Sequence, residues 1–383
     1  GGKGQAVTMA EIKGASKPDE RVILCAHVQE PGSNDNATGV ASLLGLATTL
    51  KKMVDSGAIA RPERTITFLW GDEMNLATLW LNSHPDEKTK ALSVLNMDMV
   101  GEDPDKTGGV MRIEKTPDPS AKYNYTLDTL PGEDGAAYDE TCADSDGQFV
   151  RLPDSHTLWG ASSYSNLFQD GFFLNDLYMY AAQGVINYHD SDFRVDVCPY
   201  EGGSDHSRFL AQNVPALLTW HFTDYTYHSS VDTLNMSSAR EMENVSITTM
   251  ATALMIANAT DGNEALALEI LGTVMMAALD RFDMEQANTE NHRIYTLAHG
   301  KDFAAALDNE KEVLQAWADW YKQALASPAE YLLDAPSQIY RDTQAELLNL
   351  LEQRLALALA CADEYLQDEV THTGLVKIDA AAP

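Results

Sequence analysis

The sequence predicts an α/β protein: a three-layer α/β/α sandwich built on a mixed, largely parallel central sheet, with an all-helical appendage at its C-terminal end. Three observations lead there. Short apolar segments alternate with helix-patterned ones from residue 7 to about 99, as a parallel sheet with covering helices requires. The same pattern returns at 214 to 260. Residues 264 to 383 then carry almost no strand-like alternation and are dense in Ala, Leu, Glu and Gln. At 383 residues the chain suits two domains, and the change of character after Asp261, Gly262 and Asn263 divides it into 1–262 and 263–383.

Taken in order, residues 7 to 14 (VTMAEIKG) and 21 to 27 (RVILCAH) read as strands parted by the polar turn SKPDE, and 37 to 55 has the small-residue, Leu-rich spacing of a helix. Residues 64 to 70 (RTITFLW) form a third strand, a helix follows to about Leu81, and 91 to 99 (ALSVLNMDM) is a fourth. Residues 101 to 203 turn polar and rich in Gly, Pro and Asp, with a helix near 119 to 130; they read as long excursions from the sheet that line a site. VPALLTW (214 to 220) returns to the sheet and 238 to 260 closes the domain as a helix. The tail predicts helices at 264 to 286, 301 to 326, 328 to 334 and 337 to 368, with Leu347, Leu351 and Leu355 on one face. Met275, Met276, Trp317 and Trp320 read as helical core in preference to a partner surface.

Composition narrows the function. Lys and Arg total 26 against 58 Asp and Glu, a net charge of −32, which disfavours DNA, RNA or an anionic membrane as partner. No run of about 18 apolar residues offers a membrane span. The four cysteines, Cys25, Cys142, Cys198 and Cys361, lack the CxxC spacing of a structural zinc site. Cys25 reads as a buried thiol, whereas a Cys142–Cys198 bridge and two free thiols stay open as alternatives, because Cα separation decides between them. Serine-centred catalysis has no GxSxG elbow to rest on.

The informative feature is where acids and imidazoles fall relative to strand ends. His27 closes VILCAH, Asp35 lies in the loop GSNDNATG, Asp72 and Glu73 follow TITFLW, Asp98 ends VLNMD, and His228 follows the last strand. In an open α/β sheet, residues just beyond the carboxyl ends of parallel strands converge on one crevice. A lone strand-end Asp is commonly a cap and a lone His a core residue, but two imidazoles with several carboxylates in this order suit a pair of zinc ions.

The motifs H-x(7)-DNATGV, WGDE, NMDMVG, GSDHSRF and YHSSVDT, in that order over residues 7 to 260, resemble the zinc aminopeptidases of peptidase family M28, clan MH. The resemblance does not extend to the helical tail. It implies a zinc-exopeptidase-like fold and two zinc ions per chain: His27 and Asp98 on one, Glu73 and His228 on the other, Asp35 bridging. Asp72 would be the general base, and Tyr227 would donate its phenolic proton to the developing oxyanion. A cis peptide after Asp35, peptide substrates with a free N-terminus, and an extracellular or periplasmic location follow from the same likeness, as does the expectation that further helices and a strand precede VTMAEIKG. Zinc is favoured by the His and carboxylate donors, with cobalt or manganese as other occupants. The tail is a candidate homo-oligomer contact or a lid.

Two departures from the family pattern bear on activity. The base is Asp72 where Glu is usual, one methylene shorter, and position 29 is Gln where an Asp usually supports the first His. Asp205 and His206 in GSDHSRF are expected to support the site from behind, and Asp232 to shape a turn or orient His228. His84, His156, His189, His221, His292, His299 and His372 show no ligand-like setting. The competing functions are a one-zinc glutaminyl cyclase, which usually has Trp where this chain has Tyr227, and a binding protein that keeps a peptidase fold without activity.

Overall fold

The computed structural model describes residues 6–86, 90–123, 151, 154, 157, 165–298 and 302–372. Its sheet has seven strands: β1 (Thr8–Ile12), β2 (Lys17–His27), β3 (Arg64–Gly71), β4 (Ala91–Met97), β5 (Met111–Glu114), β6 (Val195–Cys198) and β7 (Ala216–His221), in the order β1-β3-β2-β4-β7-β5-β6. β3, β2, β4 and β7 are mutually parallel, which is why β4 and β7 are buried along their whole length and read as continuous apolar runs. β1 lies antiparallel on β3 at one edge, and β5 runs antiparallel to β7 at the other, with β6 parallel to β5. The sheet is therefore mixed and largely parallel, as the sequence predicts.

The chain order reverses at β2. From β2 it goes to β3 on one side, through α1 (Ala37–Ser56), and then back past β2 to β4, through α2 (Asn75–Ser83). Right-handed crossovers in opposite directions put α1 and α2 on opposite faces of the sheet. α5 (Leu174–Tyr188) and α7 (Ala239–Asn258) join α1 on its face, and α6 (His206–Leu210) packs on α2. Two one-turn helices, α3 (Pro104–Thr107) and α4 (Ser120–Tyr123), lie in the excursion after β4. The reversal opens a crevice outside the carboxyl end of β2, where His27 stands.

The tail is α8 (Glu264–Ala298), α9 (Ala304–Leu332) and α10 (Gln338–His372). α9 corrects the two helices predicted at 301 to 326 and 328 to 334, because the helix runs straight through Pro328. Proline leaves the carbonyl of residue 324 without its helical N–H, and the Ser327 hydroxyl takes that place, donating to the Ala324 oxygen at 2.8 Å. β2 begins at Lys17, so all of the predicted turn SKPDE except Ser16 is strand, with a register shift between Lys17 and Arg21. β5, β6 and α5 lie in the stretch read only as excursions, and what is described of the helix near 119 to 130 is α4. Trp317, Trp320 and Met275 are buried core while Met276 is exposed, and Leu351 is buried between the partly buried Leu347 and Leu355. One apolar cluster runs unbroken from the strands through α5 and α7 into the tail helices. No helix among the described residues is long and apolar enough to cross a membrane.

Candidate metal centre

The loop after β2 is shaped by its own side chains. The Asn36 amide accepts from Gly39 N at the start of α1 and from Met99 N, and donates to Met97 O, so one side chain starts the helix and fastens it to the end of β4. A Cβ on Gly39 would lie 2.2 Å from Asn36 Oδ1 and 2.4 Å from Met97 O, so the position tolerates only glycine. Asp232 reaches across from the loop after β7 and accepts from Asn34 N at 2.8 Å and Asp35 N at 3.1 Å. The Asp35–Asn36 peptide is cis. These contacts aim the Asp35 carboxylate at the crevice.

There it meets both imidazoles. His27 Nε2 lies 3.5 Å from Asp35 Oδ1 and 3.0 Å from Asp98 Oδ1, and His228 Nε2 lies 3.2 Å from Asp35 Oδ2. The two oxygens of Asp35 are thus divided between the two histidines. His27, Asp35 and Asp98 form one buried group whose ligand atoms lie within 4.8 Å of one another; Glu30, Asp35 and His228 form a second, more open group by the same measure. His228 is held with φ at +50°, its side chain 55% exposed, its ring stacked on Tyr227 at 3.8 Å. Ser204 donates to the other Asp98 oxygen at 2.7 Å.

Glu73 stands beside these groups. Gln29 binds it twice: Gln29 Nε2 donates to Glu73 Oε2 at 3.2 Å, and Gln29 Oε1 accepts from Glu73 N at 2.8 Å. The neutral amide that replaces the usual carboxylate at position 29 therefore orients an acid, leaving His27 Nδ1 buried with no partner. Asp72, half-buried at the end of β3, accepts from Asn75 Nδ2 at 2.7 Å.

The electrostatics express a surplus of negative charge. Burial would lower His27, but Asp98, with help from Glu73 and Asp35, overrides it and raises the imidazole to about 10. Burial, with Asp98 nearby, pushes Asp35 up to about 8, and the same two causes raise Glu73. Burial opposes the charge on Asp98, yet His27 and the hydrogen bonds from His27 and Ser204 hold it below the usual range. Asp205, fully buried behind the cluster, is pushed to about 7, mainly by burial. Burial first and then Asp35, Asp98 and Glu73 raise the Tyr227 phenol, which stays protonated as a donor.

Other residues from the sequence fall into place around this centre. His206 donates or accepts at Glu114 Oε1, 2.7 Å away, under the site, and Asp232 shapes the Asp35 loop instead of orienting His228. His84 packs on Trp80, His189 lies by Glu243, His221 binds Met99 O, and His292 binds Glu310. His156, His299 and Cys142 lie outside the described residues, so the Cys142–Cys198 alternative does too; Cys25 and Cys198 are buried, with thiols pushed well up by burial. The sequence reading missed Glu30 and Ser204. The spacing His27-x-x-Glu30 was a signal for the first; Ser204 lies within GSDHSRF beside Asp205 and His206, but its partner Asp98 is 106 residues away, so the contact itself could not be read. A cavity of about 790 Å³ at the opposite ends of the strands, lined by Lys17, Arg61, Glu63, Asn258 and Asp334 among others, mixes both charge signs and contains none of these groups.

Residues 8–157 match the family model described as Peptidase family M28. The chain resembles this family. The match carries His27, Asp35, Asp72, Glu73 and Asp98, while Tyr227 and His228 lie beyond it. Comparison with curated proteins gives no match. Solved structures with partial likeness include an aminopeptidase from Aneurinibacillus sp. strain AM-1 (20% identity, TM-score 0.41, 66% of this chain and 47% of that one). A zinc aminopeptidase from Bacillus subtilis (17%, 0.41, 64% and 48%) and an Acidobacteriales bacterium glutaminyl cyclase (15%, 0.40, 66% and 74%) are others. The chain spans about half the length of the two aminopeptidases.

The M28-like centre fits a metal on its own chemistry. Imidazole nitrogen and carboxylate oxygen are the borderline-to-hard donors that zinc takes. His27 and Asp98 with one Asp35 oxygen make one half of the centre, and His228 with the other oxygen makes the second. Acids raised by burial and, after it, by the charge of Asp98 are what a cation would relieve.

Proposed function

We propose that this chain is a two-zinc aminopeptidase that releases N-terminal residues from peptides. The observation that carries the reading is the division of the Asp35 carboxylate between His27 and His228, the arrangement a bridging ligand requires. His27 and Asp98 would hold one ion, His228 and Glu73 the other. Bound there, zinc lowers the pKa of a water and polarises the scissile carbonyl.

The chain's own residues supply the rest. Asp72, next in sequence to Glu73 at the mouth of the crevice, takes the proton of the attacking water and returns it to the leaving amine. Tyr227, kept protonated by burial and by the acids around it, donates to the oxygen on which charge develops, worth about 3 kcal/mol in the transition state. Ser204 and Gln29 orient Asp98 and Glu73.

Metal content per purified chain, together with hydrolysis of a panel of aminoacyl p-nitroanilides before and after chelation, tests the reading. Two zinc ions and chelator-sensitive release of the N-terminal residue are expected. Pyroglutamate formation from an N-terminal Gln peptide with one zinc and no cleavage would replace the aminopeptidase by a cyclase; no metal and no turnover would leave a binding protein.

A further inference from the structure

We propose that Glu30 is the residue that receives the substrate's α-ammonium group and so selects peptides with a free N-terminus; this rests on the aminopeptidase reading above. Glu30 stands three residues after His27 in the loop that leads to Asp35. Its carboxylate lies within 4.8 Å of ligand atoms of both Asp35 and His228, and the three residues share a cavity of about 280 Å³ with Ser229 and Asp232. In a peptide the α-nitrogen is only about 2.5 Å from the adjacent carbonyl carbon. A receiver for that nitrogen must stand within a few ångströms of the groups that act on the carbonyl, and Glu30 does.

The side chain is also held in place. Gln29 Nε2 donates to Glu30 Oε1 at 3.1 Å and to Glu73 Oε2 at 3.2 Å, so one amide spaces the two acids side by side and spends both its protons on them. Asp232, through Asn34 N and Asp35 N, fixes the cavity floor. Charge balance gives Glu30 a purpose that the metals leave unfilled. Two zinc ions are matched by Asp35, Asp98 and Glu73 as ligands and Asp72 as base. With Asp205 buried behind the cluster, Glu30 is the further acid that lines the open cavity, and the substrate's ammonium is the cation that complements it. The opposite charge of a peptide C-terminus would be repelled there, which sets the direction of the exopeptidase.

The test compares the zinc-loaded full-length chain with its Glu30→Gln and Glu30→Asp variants on aminoacyl p-nitroanilides with free and with N-acetylated amines, measuring zinc per chain in each. The wild-type chain is expected to cleave only the free amines. Glu30→Gln should keep two zinc ions and raise KM about tenfold or more for free amines, with the loss carried mainly by KM; Glu30→Asp should recover part of it. Calorimetric binding of leucinamide, weakened in Glu30→Gln to the level of N-acetyl-leucinamide, gives a readout that does not depend on turnover. An unchanged KM and unchanged amine binding would overturn the proposal while leaving the aminopeptidase standing. Loss of one zinc in Glu30→Gln would overturn it too, making Glu30 a ligand. A wild-type chain with no zinc and no turnover would remove both readings, before any variant is compared.

Discussion

Two regions of this molecule bury charge, and they do it in opposite ways. Where the tail meets the sheet domain, acids face basic partners. Asp154 binds Lys115 at 2.7 Å and the Arg281 guanidinium; Glu285 binds Arg151 at 2.9 Å; Glu310 binds Arg151 and, at 2.7 Å, His292. Asp154 and Glu310 are consequently pulled down to about 2 against the effect of burial. At the carboxyl ends of β2, β3 and β4, Asp35, Glu73 and Asp205 are all pushed up, first by burial and then by neighbouring acids that His27 only partly offsets, with His228 beside Asp35. The first set is balanced within the chain and therefore structural. The second is balanced only if something cationic enters, which is what a binding site is. Asp176, pushed up by burial and Asp118, departs from the rule at the junction and marks its limit.

If the crevice depends on cations from outside, removing them has the largest effect. Chelation, or His228→Ala, should lower peptide hydrolysis by about 10³-fold or more, with zinc restoring the chelated protein and not the variant. Full activity of His228→Ala would erase the distinction between the regions. Asp72→Asn should retain zinc and lose about 10² to 10⁴ in kcat, since proton transfer goes while the ligands stay; turnover equal to wild type would remove Asp72 as base.

The junction should answer to stability and not to metal. Asp154→Asn leaves Lys115 and Arg281 buried beside a neutral amide and should cost about 3 to 5 kcal/mol in denaturant unfolding, with zinc content unchanged. A loss of zinc in that variant would mean that the two regions are coupled. The smallest effect is acid sensitivity. Because the folded carboxyl of Asp154 is depressed, its contribution is complete above about pH 4 and disappears as pH falls through about 2. That is worth about 2 to 3 kcal/mol, seen as an acid limb in the stability profile that Asp154→Asn should flatten.

Much of this was legible in one dimension. Parallel strands buried on both faces must be written as unbroken apolar runs, so VILCAH, TITFLW and VLNMD announce themselves, and the acids and imidazole that end or follow them stand out because polar groups are placed there only at the sheet's edge. β5 and β6 were missed because each has only four residues, too few for a period to show, and they pair beside β7 across long connections. Pro328 misled because its helix is repaired by Ser327, a contact that residue preferences along a chain do not encode.

The sequence by itself determined the fold class, the set of acids and imidazoles brought to one end of the sheet, and the change to an all-helical tail, because each is a matter of local periodicity and strand order. Only the tertiary structure decided that Asp35 divides its oxygens between His27 and His228, that Gln29 holds Glu30 and Glu73 together, and that Asp154 and Glu310 are held down by basic partners while Asp35 is pushed up. The physical reason is that the ionisation of a buried group depends on charges within a few ångströms of it, and those neighbours come from parts of the chain that composition and pattern leave far apart.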